Sequence, residues 1–182
     1  MYKILLSILF YGVFFIVEGN SAVSTNHQSR ITGFKQGSAN IHLHAAFDRS
    51  AYYKAMQGDN KDLVNAQLKE LNSAPPELKD AFVGAMTMRK AGISGSPTTK
   101  LHLFKIGHKL LENAISKDPK NAEFRFLRLI IQENAPGVLG YKNDTEKDAE
   151  YIRKSYKSLP EDVQRVIAGY NKKSKILKLQ VS

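Results

Sequence analysis

The chain reads as an all-α protein of about seven antiparallel helices stacked as helix hairpins, and three observations carry that expectation. From residue 43 onward, apolar residues recur at helical spacing. Gly, Pro and Asn break the pattern into segments of about 12–17 residues, which suits antiparallel helix pairs joined by short turns. No run alternates apolar and polar residues for long enough to form a strand.

The first helix covers residues 45–56 (AAFDRSAYYKAM) and stops at Gly58-Asp59-Asn60. The second, over 61–71, lines Leu63, Val64, Leu68 and Leu71 along one face. Pro75-Pro76 stops it and starts a third over 77–91, because a first helical turn tolerates proline's missing N–H. That helix groups Ala81, Gly84, Ala85 and Met88, and small residues on one face admit a neighbouring backbone. Residues 92–99 (GISGSPTT) are expected to form a loop.

The fourth helix, 101–116, divides into two halves. Leu103, Phe104, Ile106, Gly107, Leu110, Leu111, Ala114 and Ile115 occupy one, and Lys105, Lys109, Glu112, Asn113 and Ser116 the other. Asp118-Pro119-Lys120-Asn121 breaks it, and a fifth helix runs to Asn134. After the irregular residues 135–141, a sixth (144–158) places Ala149, Ile152, Tyr156 and Leu159 on a buried stripe. Pro160-Glu161-Asp162 opens a seventh, with acids in the first turn where the helix dipole favours them. It buries Val163, Val166, Ile167 and Tyr170. The helical domain is thus expected over 43–171, with a basic tail over 172–182 carrying Lys172, Lys173, Lys175 and Lys178.

The first 21 residues read as a signal peptide. Lys3 gives a positive start, Ile4 to Val17 is uncharged, and Glu18 ends the run. Such a core is short of the about 20 residues a bilayer span needs. Gly19, Ser21 and Ala22 supply small residues for cleavage, and no Cys follows to carry a lipid anchor. The protein is therefore expected to be exported, to the periplasm or cell exterior, and not to span the membrane once cleaved. Residues 22–42 are polar and aperiodic, a flexible linker. The chain has no cysteine, which removes disulfides, thiolate metal sites and cysteine nucleophiles. Its net charge of +10 reads first as lysine-rich solubility and otherwise as favouring contact with anionic lipid or polysaccharide. Nucleic acid is not expected as a partner outside the cell.

Gly107 to Asn121 (GHKLLENAISKDPKN) resembles the second helix and closing turn of a tetratricopeptide repeat. Gly107, Leu111, Ala114 and Pro119 stand at the repeat's small, large apolar, Ala and Pro positions. Tyr52 to Asp59 looks like the turn within another repeat. Arg125 falls where the next repeat has an aromatic residue, so the likeness is to a degenerate array. A longer stretch, 110–141, is similar to a family of short exported helical proteins of Bacteroidetes. Ala114-Ile115, Asp118-Pro119, Arg125-Phe126-Leu127-Arg128 and Leu139-Gly140-Tyr141 carry that resemblance. It implies compartment and fold, and no site.

The fifth helix holds the candidate site. Phe124, Phe126, Leu127, Leu129, Ile130 and Ile131 cover most of its circumference, as in a helix buried on nearly all sides. Arg125, Arg128 and Gln132 interrupt them within roughly 60° of one another. Unpaired buried guanidiniums are prohibitively unfavourable. Either carboxylates such as Asp80, Glu112 or Glu123 pair with them, or they open onto a groove that meets an anionic ligand.

Other combinations are weaker. His42 and His44 have the spacing of a metal pair without a third ligand, and no metal or cofactor is expected. His108 and Glu112 lie one helical turn apart, as a surface pair does. Asn143-Asp144-Thr145 matches a glycosylation acceptor by a three-residue pattern alone. No nucleophile elbow, phosphate-cradling loop or paired-carboxylate signal occurs. The expected function is non-catalytic binding of a protein or peptide partner. The alternatives are an envelope polyanion-binding protein and, behind it, a hydrolase.

Overall fold

Short polar side chains and prolines set where the helices of this protein begin. The computed structural model describes residues 47–180. Asp48 accepts the amide of Ala51 and opens α1, Arg49–Gln57. Asn60 accepts two amides, from Asp62 and Leu63, and opens α2, Lys61–Glu70. Pro75 and Pro76 start α3, Pro76–Gly92. Ser96 caps α4, Pro97–Lys117, and Asn121 accepts the amides of Glu123 and Phe124 to open α5, Ala122–Asn134. Such caps answer N–H groups that have no partner within the helix. α6, Thr145–Ser155, and α7, Glu161–Asn171, complete the set, with acids in both first turns.

The described residues are therefore all-helical, with seven helices and no strand. The expected loop at 92–99 is shorter than the sequence suggested. Ser96-Pro97 is a cap followed by a proline in the first turn, so α4 starts four residues before Leu101. The expected sixth helix narrows instead: after Ser155 the backbone tightens into a 3-10 turn, Tyr156–Ser158. The expected leader, linker and His42/His44 pair lie outside the described residues.

α3 and α4 form the tightest hairpin. Gly84 lies against Gly107 and Leu111, Met88 against Gly107, and Asp80 against Lys117, so the helices run antiparallel. A Cβ on Gly84 would fall 2.7 Å from both the Gly107 oxygen and the Leu111 amide nitrogen. A Cβ on Gly107 would fall 2.5 Å from the Gly84 oxygen. The small-residue face expected on the third helix is the seam of this hairpin. α5 and α6 form a second antiparallel pair, since Lys120 meets Tyr151, Arg125 meets Asp148, and Arg128 meets Asp144.

α5 is the central helix, with Phe126, Leu127 and Leu129 fully buried. Phe126 packs edge-on to Tyr170 of α7 and beside Tyr53 of α1. Tyr52 donates its hydroxyl to the Phe82 carbonyl (2.8 Å), so its buried OH has a partner. The expected apolar faces are wider than the buried ones. On α2, Val64 is buried while Leu63 stays exposed; on α4, Gly107, Leu111, Ala114 and Ile115 are buried while Ile106 stays exposed.

The basic segment after α7 is docked. Leu177 is fully buried, and Arg153 donates to the carbonyls of Ile176 and Leu177. Asn171 both donates to the Leu179 carbonyl and accepts its amide. Glu133 accepts from Ser174 and from the Lys175 amide. The lysines mark the exposed edge of this strap, while its Leu and Ile residues pack toward the core.

Candidate functional site

The expected stripe lies on α5, and its three members meet different surroundings. Arg128 is 5% exposed and faces Asp148, which is fully buried on α6. Its Nε donates to Asp148 Oδ2 (2.6 Å) and its Nη2 to Oδ1 (2.7 Å), a two-pronged pair that matches guanidinium to carboxylate geometry. Its Nη1 donates to Glu112 Oε2 on α4 (2.8 Å), with Asp144 at 3.5 Å. All three nitrogens of Arg128 are thus engaged by carboxylates. Burial by itself would lower its pKa, but the bonds to Asp148 and the charges of Asp148, Glu112 and Asp144 outweigh it and raise the pKa.

Arg125 sits one turn earlier. Its Nη1 shares Asp148 Oδ1 (3.0 Å), its Nε and Nη2 donate to the Pro119 carbonyl, and its guanidinium carbon lies 4.5 Å from the centre of the Tyr151 ring. Gln132 is 1% exposed, and its Oε1 has no hydrogen-bond partner. Arg125 and Arg128 thus form a charged knot joining α4, α5 and α6, of the two arrangements open to them the one in which neighbouring carboxylates pair the guanidiniums. Glu112 is among the acids expected there. Asp80 instead pairs with Lys117, and Glu123 with Arg49.

The knot extends to residues that no local pattern connects with it. Tyr141, after the turn that follows α5, donates its hydroxyl to Glu112. Burial and then the Glu112 carboxylate hold that phenol well above its usual pKa, so it stays a donor. The Tyr141 ring packs edge-on to His108 (4.6 Å) and to Phe104 (5.6 Å). His108 therefore meets an aromatic face, and Glu112 turns to Arg128 and Tyr141 instead of making the surface pair expected between them. Asp144, inside the three-residue acceptor pattern, pairs with Arg128 and Lys147. The Leu-Gly-Tyr motif was visible as a motif, but nothing in it signalled a partner on another helix.

A second buried carboxylate lies at the other end of α5. Glu123 accepts from Arg49 (3.0 Å) and from the Tyr53 hydroxyl (3.2 Å). Burial, outweighing these partners, raises its pKa above the ordinary carboxylate value. A shallow cleft of about 210 Å³ lies between α1 and α7, lined by Ser50, Asp162, Arg165 and Val166. None of Arg125, Arg128 or Gln132 lines it. Among the described residues, no group of three or more His, Cys, Asp or Glu side chains is arranged to hold a metal ion. Among them, too, no helix is long and apolar enough to cross a membrane.

In class, then, the described residues define an all-α protein whose internal charges are knitted to one another. Comparison with known proteins takes it no further: no family model, no curated protein and no solved structure matches the chain.

Proposed function

We propose that this is an exported, non-catalytic helical protein, degenerate-repeat-like in build, that binds a protein or peptide partner on an outer helical face. The observation that carries the reading is the pair of antiparallel hairpins, α3/α4 and α5/α6, locked together through α5. Stacked helix pairs of this kind present extended surfaces for partners. Gly107, Leu111 and Ala114 are buried and Pro119 lies in the turn to α5, the roles that the repeat resemblance implies for them. The charged knot supports the reading by stiffening the frame. With the guanidiniums of Arg125 and Arg128 held by protein atoms, the partner surface in this reading lies outside the Arg125–Arg128–Gln132 stripe.

The test is affinity capture from an envelope extract with the full chain and with Ile106→Glu, which alters an exposed position on α4. A single partner retained at physiological salt and lost in the variant, with unchanged helicity, is the expected result. Recovery only of polyanionic material that washes off with salt would favour the alternative of charge-driven binding.

A further inference from the structure

Three of the four large apolar side chains exposed among the described residues lie on α4 or on the turn packed against it. Val138 is 82% exposed, Leu101 is 47% exposed, and Ile106 is exposed on the neighbouring flank; Leu63 of α2 is the fourth. Isolated exposed apolar residues are ordinary on protein surfaces. Here the fold brings two of them to one end. The Arg128–Glu112 pair and the Tyr141 contacts with Phe104 and His108 set the C-terminal end of α5 and its following turn level with the start of α4. Val138 projects from the 3-10 turn Gly137–Leu139, held between Pro136 and Gly140. Gly140 takes a left-handed conformation (φ 61°) that closes the turn. The apolar tip is built into the backbone.

Charge is segregated around it. Leu101, Lys105 and Lys109 follow one another at four-residue spacing on α4, within about 80° of the helix circumference. Lys142 follows Tyr141 on the adjoining turn. Lys105, Lys109 and Lys142 are exposed, and none has an acidic partner among the described residues. α4 and residues 135–144 contain one acid each, Glu112 and Asp144, and both turn to Arg128. Glu112 shares the helix stripe of these lysines and is 29% exposed, and Asp144 is 39% exposed. Arg128 neutralises the first and Arg128 with Lys147 the second, so the surface is net basic with an apolar tip. An anionic bilayer has the matching profile: headgroups receive the lysines while apolar side chains enter the acyl boundary about 5–10 Å below.

We propose that the outer face of α4 and the Val138 turn form a docking surface for an anionic phospholipid bilayer. The surface adjoins Ile106, the α4 position that tests the partner reading, but its own test uses lipid alone and does not depend on that reading. Because the chain has no cysteine, an environment-sensitive fluorophore can be placed at Val138→Cys or Leu101→Cys in the full chain. Glu150→Cys serves as the control, since it is exposed beside Tyr151, which bonds Lys120 at the opposite end of the hairpins.

With vesicles of 40% phosphatidylglycerol in phosphatidylcholine, labels at 138 and 101 are expected to shift to the blue, and the control label is not. Vesicles of phosphatidylcholine alone should give no shift. Lys105→Gln/Lys109→Gln/Lys142→Gln should weaken partitioning about fivefold for each lysine, on the order of a hundredfold together. The apolar segment 4–17 is common to every variant, so differences among them report on this surface. The proposal is overturned by a shift at 138 no larger than at 150, by an equal shift on neutral vesicles, or by a triple variant that partitions like the original. Equal binding to soluble polyphosphate without any blue shift would also overturn it, assigning the lysines to charge-driven contact alone.

Discussion

Replacing Arg128 with methionine removes the hub of the charged knot and keeps only an unbranched apolar stem in its place. Asp148, fully buried, then keeps only the Arg125 Nη1 contact at 3.0 Å and loses bonds of 2.6 and 2.7 Å. Glu112 keeps the Tyr141 hydroxyl, and Asp144 keeps Lys147 at 3.9 Å. The main penalty is therefore Asp148, a carboxylate out of water without its principal partner, and breaking such a buried pair costs about 3–5 kcal/mol. A single domain has about 5–15 kcal/mol of stability in total, so this one change removes a large share of it. Asp148→Asn should cost less, about 1–3 kcal/mol, because Arg128 retains Glu112 at 2.8 Å and the site keeps its volume. The double variant should be more stable than the sum of the two losses by about 2 kcal/mol, since a neutral asparagine no longer needs a cation at position 128. Urea unfolding followed by far-ultraviolet circular dichroism measures all four corners of this cycle. A loss under about 1 kcal/mol for Arg128→Met, or strict additivity in the double variant, would refute the view that Arg128 holds α4, α5 and α6 together.

Three further outcomes follow from the packing. Gly84→Ala forces a methyl onto backbone atoms 2.7 Å away and should destabilise by about 1–3 kcal/mol, whereas Gly169→Ala, with nothing within 4 Å, should stabilise by up to about 1 kcal/mol; opposite shifts in melting temperature are the check. Leu177→Ala should cost about 2–5 kcal/mol by leaving a cavity beneath the C-terminal strap, and chemical denaturation would expose the error if the strap were loosely held. Glu123 has a folded-state pKa raised by burial, so its protonated form is favoured in the fold. Its contribution is fully present below its unfolded pKa and declines as pH rises through the folded value. The stability of the original relative to Glu123→Gln should accordingly fall from pH 4 to pH 7, and a difference that rises instead would overturn the assignment.

How far the fold was legible depended on whether a signal was local. Gly58-Asp59-Asn60 and Asp118 to Asn121 each combine a helix stop with an asparagine cap, and both boundaries lie where the spacing placed them. Ser96-Pro97 carries the same kind of signal, but it is preceded by Gly92, Ser94 and Gly95, which with it read as one long loop. On α5, the nearly all-round apolar pattern correctly marked a helix buried on most sides. The Arg stripe was equally visible, and so was the need for partners. Asp148 was not, because it lies 20 residues from Arg128 and looks like an ordinary acid of a helix's first turn.

The sequence by itself determined the helix count, most boundaries, the small-residue face of α3 and the requirement that Arg125 and Arg128 be satisfied. Those are consequences of backbone hydrogen bonding, side-chain period and the solvation of charge, which act within a few residues or on any buried ion. Only the tertiary structure decided which carboxylates meet Arg128, that the Lys-rich segment after α7 is pinned by Leu177, and that the one acid of α4 is taken up by Arg128 and Tyr141 while Lys105 and Lys109 stay without an acidic partner among the described residues. Such choices depend on which helix faces pack together, and a helix period defines a face without naming the face that will cover it.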